Sequence, residues 1–184
     1  HKLVEAEIFY MADRPYNERL LFDNRIQFRK ISTGKNRLYF SLLNVIDVFK
    51  TAFGLITTFF AVYSIFPDVI FGKGGYISFP VLMAARLLRI PVIIHESDSM
   101  PGRVNKWAAK FAMRIAGSYP QAAEHFVQKD KVAYTGNPIR RGVSIPVKHG
   151  SHDFLGLDAL VPTILVLGGS TGARILNDNI LDML

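Results

Sequence analysis

A chain of 184 residues, 49% hydrophobic and 20% charged, has globular composition, which excludes a disordered segment and leaves room for one domain or for one domain and part of another. It has no cysteine, so a disulfide framework, a thiolate zinc site and a cysteine nucleophile are excluded too. The net charge of +7 is local, because residues 101–150 hold nine basic side chains against two acidic ones. Such a face suits nucleic acid, anionic lipid or a phosphate-bearing small molecule, and composition does not choose among them.

The chain opens on His1, not Met, and no signal-peptide pattern follows. Residues 7–12 (EIFYMA) form a short apolar and aromatic run ending at Asp13-Arg14-Pro15, a predicted strand and turn. The spacing predicts a short helix over 17–23 and a second strand over 27–31, broken by Ser32-Thr33-Gly34-Lys35-Asn36. From Tyr39 to Phe66 the chain is very apolar. Asp47 and Lys50 interrupt it and leave about 16 residues, short of the roughly 20 that a spanning helix needs. A buried or membrane-surface helix ended by Pro67 is expected.

A strand over 68–71 then runs into Gly72-Lys73-Gly74-Gly75, and a helix opened by Pro80 follows over 79–88. Residues 90–94 predict a core strand ending at His95-Glu96. Next come a helix over 105–113, short strands over 114–116 and 132–134, and a Gly-, Pro-, His- and Ser-rich stretch over 142–160 that reads as a linker. Thr163–Leu167 predicts one more strand, broken by Gly168-Gly169-Ser170-Thr171-Gly172. Leu176–Leu184 reads as a helix cut off in progress, so a piece of a longer protein is expected. Strands that alternate with helices, each a near-continuous apolar run, imply an α/β fold with a parallel sheet covered on both faces. In such sheets ligands bind at the carboxyl ends of the strands.

The residues suited to chemistry fall at those ends. Gly168–Ala173 joins a predicted strand to a helix, where glycines admit a phosphate and the helix amino terminus favours its charge. The loop matches neither the Walker pattern nor G-x-G-x-x-G, and a plain tight turn is the competing reading. Gly72–Tyr76 is a second such loop. His95-Glu96 reads either as a structural hydrogen-bonded pair or as acid–base machinery. It lacks the second His of H-E-x-x-H, so no metal and no cofactor is expected. Arg103, Lys106, Lys110 and Arg114 recur at helical spacing around Trp107 and Phe111, either a solvated face or a patch for anionic lipid or a diphosphate. No nucleic-acid-binding signature accompanies them. Asn137-Pro138-Ile139-Arg140 follows a strand directly, and the Arg140 fork suits a diphosphate.

Taken in order, GKGGYISFP, HESDSMPGRVNKWAAK, TGNPIR and GGSTGARILN resemble the MurG family of bacterial UDP-N-acetylglucosamine transferases, from about Ser32 to the chain's end. The resemblance implies a glycosyltransferase B fold of two Rossmann-like domains. It also implies inverting transfer of N-acetylglucosamine from UDP to the C4 hydroxyl of undecaprenyl-diphospho-N-acetylmuramoyl-pentapeptide, in peptidoglycan synthesis. On this reading residues 1–142 are the acceptor- and membrane-binding domain without its first strand and glycine loop, 143–160 a linker, and 161–184 the start of the UDP-sugar domain. Arg140, Gly168, Gly169, Ser170 and Gly172 are then expected on the donor side, with Asn137 nearby. Gly74, Gly75 and Tyr76 are expected to line the acceptor side, Asn105 to bind substrate, and His95 and Glu96 to position the acceptor or support proton transfer. Asp98 is expected near the sugar, where the family has Asn, and Ser97 replaces the usual Gln. The implied partners are UDP-N-acetylglucosamine, the undecaprenyl-diphosphate acceptor and the anionic inner leaflet at the cytoplasmic face, with no nucleic acid. The implied general base precedes His1, so the fragment is expected to be inactive alone. A related lipid glycosyltransferase, or a non-catalytic membrane-recruiting subunit of a split enzyme, remains the alternative.

Overall fold

The computed structural model describes residues 5–31, 43–145, 150–158, 160–168 and 173–183. The chain divides into two compact units, His1–Pro138 and Ile139–Leu184.

In the first unit, the apolar runs that predicted strands pair in parallel. Strand β1 (Ile8–Ala12) pairs with β2 (Ile26–Lys30) in the register Ile8 opposite Ile26. Between them lies α1 (Glu18–Asp23), started by the Asn17 side chain, whose oxygen accepts from the Leu20 N–H at 3.0 Å. Helix α2 (Leu43–Ile65) ends at Phe66, and Pro67 cannot continue it. It packs against α3 (Ser78–Leu88), which buries Pro80, Leu82, Ala84 and Ala85. A left-handed Arg89 (φ 56°) closes α3, with the Ile90 N–H returning to the Ala85 carbonyl at 2.9 Å.

The second sheet runs β3 (Ile70–Gly72), β4 (Val92–Glu96), β5 (Arg114–Gly117) and β6 (Val132–Tyr134), all parallel and in that order. Helix α4 (Arg103–Ala109) joins β4 to β5. Strand β4 seals Val92 and Ile94 from solvent on one face, while on the other Ile93 is half-buried and His95 buried. The core gathers Val62, Leu82, Val92, Ile94, Ala108 and Ile115. Gly72 ends β3 where a Cβ would stand 3.0 Å from the Leu82 side chain, so a larger residue there would crowd the core.

The second unit holds α5 (Arg141–Ser144), α6 (Ser151–Leu155) and α7 (Arg174–Leu181). Two of these short helices fall in the stretch expected to be a linker. The strand expected over 163–167 does not form. Ile164, Leu165 and Leu167 are exposed, and no strand lies beside them among the described residues to complete a ladder. Two boundaries also shift. The helix expected over 105–113 is α4, which starts two residues earlier and ends at Ala109. The core strand reaches Glu96, so His95 and Glu96 belong to the sheet itself, opposite Ala116 and Gly117.

Replacing Leu82 by Ala should lower the unfolding free energy by roughly 2–5 kcal/mol in urea denaturation, whereas Met100→Ala, at an exposed position, should stay within about 0.5 kcal/mol.

Candidate functional site

The carboxyl ends of β3, β4, β5 and β6 bring four segments together: the glycine loop after Gly72, the loop from Glu96 to Gly102, Ser118, and Gly136-Asn137. The second of these is organised around one carboxylate. Glu96 is only 4% exposed. Its Oε1 accepts from the Asp98 N–H at 3.0 Å, and its Oε2 accepts from the Gly102 N–H at 3.1 Å and from Asn105 Nδ2 at 2.9 Å. Burying a carboxylate is costly unless donors replace its water, and here three do. Residues 97–101 therefore wrap around the carboxylate and deliver the chain to Gly102, which starts α4.

Asn105 is buried on the inner side of α4 and also donates to the His95 carbonyl at 3.2 Å. Its Oδ1 is sealed from solvent with no donor among the described residues. The amide lies directly under the glycine loop, for a Cβ on Gly74 would stand 2.8 Å from Asn105 Nδ2 and 2.9 Å from Oδ1. Gly74 and Gly75 both have left-handed backbones (φ 83° and 78°), so glycine is required at Gly74 by space and by conformation together. Tyr76, at the end of this loop, is 42% exposed. A cavity of about 1160 Å³ between β1 and β3 takes Lys73 and Gly74 into its lining.

His95 is also 4% exposed. Its Nε2 lies 3.2 Å from the Gly136 carbonyl oxygen and 3.4 Å from Ser118 Oγ, and its Nδ1 lies 3.5 Å from Ser97 Oγ. Ser118 Oγ donates to Asn137 Oδ1 at 2.7 Å. Asp98 is exposed at the tip of the loop.

The structure thus gathers Gly74, Gly75, Tyr76, His95, Glu96, Asp98, Asn105 and Asn137 at one end of the sheet of the first unit. Arg140 and Gly168 belong to the second unit. Arg140 is exposed there, and a Cβ on Gly168 would meet that of Ala173 at 2.5 Å. Gly169, Ser170 and Gly172 lie outside the described residues. Ser118 was not foreseen. Its signal was faint: a buried hydroxyl directly after a short apolar strand.

Glycosyltransferase family 28, N-terminal domain, matches residues 2–117. The chain belongs to this family. It is 38% identical over 175 residues to a Bacillus cereus UDP-N-acetylglucosamine–N-acetylmuramyl-(pentapeptide) pyrophosphoryl-undecaprenol N-acetylglucosamine transferase, covering 95% of this chain and 49% of that protein. It is 40% identical over 152 residues to the transferase of the same name from Legionella pneumophila, covering 83% of this chain and 42% of that protein. The chain therefore spans about half the length of the curated relatives it matches. Among solved structures, Acinetobacter baumannii MurG shares its fold with a TM-score of 0.52 at 24% identity, over 74% of this chain and 38% of that one. Anabaena HepE in complex with UDP does so with a TM-score of 0.52 at 13% identity, over 82% of this chain and 50% of that one. With the family match, these likenesses put the α/β architecture in the glycosyltransferase B class.

Glu96→Ala leaves two backbone N–H groups without their acceptor and the Asn105 amide with the His95 carbonyl alone. A loss of roughly 3 kcal/mol in unfolding free energy is expected, with new proteolytic cleavage within residues 97–102.

Proposed function

We propose that the protein containing this chain is an inverting transferase that moves N-acetylglucosamine from UDP-N-acetylglucosamine to undecaprenyl-diphospho-N-acetylmuramoyl-pentapeptide during peptidoglycan synthesis. The observation that carries this reading is 38% identity, across 95% of the chain, to a transferase named for that donor and acceptor. Glycine-bearing loops gathered at the carboxyl edge of a parallel sheet supply the kind of surface such a reaction uses.

In this reading the C4 hydroxyl oxygen of the acceptor attacks C1 of N-acetylglucosamine. The C1–oxygen bond to the diphosphate breaks as the new bond forms, UDP departs, and a base takes the hydroxyl proton. Arg140 and the loop from Gly168 through Gly169, Ser170 and Gly172 meet the donor diphosphate, where a guanidinium fork and backbone N–H groups match its oxygens. Gly74, Gly75 and Tyr76 face the acceptor, and Asp98 approaches the sugar. Glu96 and Asn105 work from beneath, since both are buried: they hold the glycine loop and the Asp98 loop in mutual register.

The same reading gives the surface of the first unit a purpose at the cytoplasmic face of the cell membrane. No helix among the described residues is long and apolar enough to cross a membrane. Helix α2 nevertheless exposes Phe53, Ile56, Phe60 and Tyr63, which recur at helical spacing on one side. Arg103, Lys106 and Lys110 are exposed on or beside α4, with Arg114 following. Apolar contact with added cations, worth roughly 1 kcal/mol per basic residue, suits peripheral attachment to anionic lipid.

The full-length protein should transfer labelled N-acetylglucosamine to a lipid-linked muramoyl acceptor; equal use of UDP-glucose or UDP-galactose would overturn the donor assignment. Arg140→Ala should raise the KM for the nucleotide sugar roughly tenfold to a hundredfold. Co-sedimentation with phosphatidylglycerol vesicles should weaken as salt rises. Replacing Arg103, Lys106 and Lys110 together by Glu should lower partitioning by about two orders of magnitude or more at low salt. Binding indifferent to both changes would remove the membrane role.

A further inference from the structure

The β5–β6 ladder is prolonged by one bond, from the Thr135 N–H to the Gly117 carbonyl at 2.9 Å. Beyond it the chain makes a left-handed turn at Gly136 (φ 71°), passes Asn137 and reaches Pro138, which has no N–H to give. The first unit ends at that proline. Side chains therefore hold this exit segment, and they converge on His95.

The partners of His95 assign its tautomer. The Gly136 carbonyl oxygen only accepts, so Nε2 carries the hydrogen and points it at that oxygen (3.2 Å), with Ser118 Oγ beside it at 3.4 Å. Nδ1 is then left to accept from the Ser97 hydroxyl at 3.5 Å. Ser118 gives its own hydrogen to Asn137 Oδ1 at 2.7 Å, and Asn137 Nδ2 reaches the Ser97 carbonyl at 3.4 Å. One imidazole thus joins the ends of β4 and β5 to both residues of the exit turn. The Phe71 ring, 6.2 Å away, packs against its other side. Every hydrogen-bonding position of the ring is occupied, and the ring is buried.

We propose that His95 is a positioning residue. Through Gly136 and Ser118 it latches the turn that carries Asn137 at the carboxyl end of β6. The proposal rests on the substrate-binding role expected of Asn137 above. It assigns His95 to neither proton transfer nor acceptor contact.

Three forms of the full-length protein test this: wild type, His95→Phe and His95→Gln, whose amide can restore a donor near the position of Nε2. Hydrogen–deuterium exchange at the Thr135 N–H, the last bond of the β5–β6 ladder, should quicken about tenfold in His95→Phe, the equivalent of one hydrogen bond at about 1.4 kcal/mol, and return toward wild type in His95→Gln. Exchange in β4 and β5 should not change. The KM for UDP-N-acetylglucosamine should rise in His95→Phe by a similar factor, while the KM for the lipid acceptor holds. Unchanged exchange at Thr135, or loosening spread evenly through β4 and β5 without rescue by Gln, overturns the latch. If wild type transfers no N-acetylglucosamine, the functional reading fails, and the exchange result still decides the latch.

Discussion

The carboxylate of Glu96 stands at the end of a strand whose neighbours exclude water, and it must be met by donors from within the protein. Its three partners come from three places: the first turn after the strand, the entrance to α4, and a side chain one turn inside that helix. Satisfying one buried charge therefore settles the path of the whole loop that carries Asp98. Asn105 extends the effect. Its amide, held by Glu96 and by the His95 carbonyl, forms the floor against which Gly74 rests. The two loops at the heart of the site are shaped by a single interaction.

Close approach sets the rest. Gly72 lies against Leu82 and Gly74 against Asn105. A side chain at Gly74 would collide with the buried Asn105 amide, and one at Gly72 would crowd Leu82. Helix α4 serves two surfaces at once. Asn105, Ala108 and Ala109 turn inward, while Arg103 and Lys106 point to solvent. The buried brace and the proposed attraction for anionic lipid are thus opposite faces of one seven-residue element.

Much of this was legible in the residues. Alternation of apolar strands with helices led to a parallel α/β fold, and the strand ends located the polar motifs before any contact was known. The failures are equally physical. Thr163–Leu167 has the composition of a strand, yet a strand exists only with a neighbour to bond, and none lies beside it among the described residues. The stretch over 142–160 looked structureless because α5 and α6 are each about a single turn. Ser118 went unnoticed because one serine after a four-residue strand carries no periodic signal.

By itself, then, the sequence determined the class of fold and, in the first unit, the order of its strands and helices and the strand ends that carry the candidate residues, because apolar periodicity, glycine and proline act over a few neighbours. The excess charge also found its helix that way. Which residues meet was decided only by the tertiary structure. His95 touches Gly136, 41 residues away, and Ser118 touches Asn137, 19 residues away. These meetings arise because β4, β5 and β6 lie side by side in one register, a property of strand pairing that no local pattern encodes.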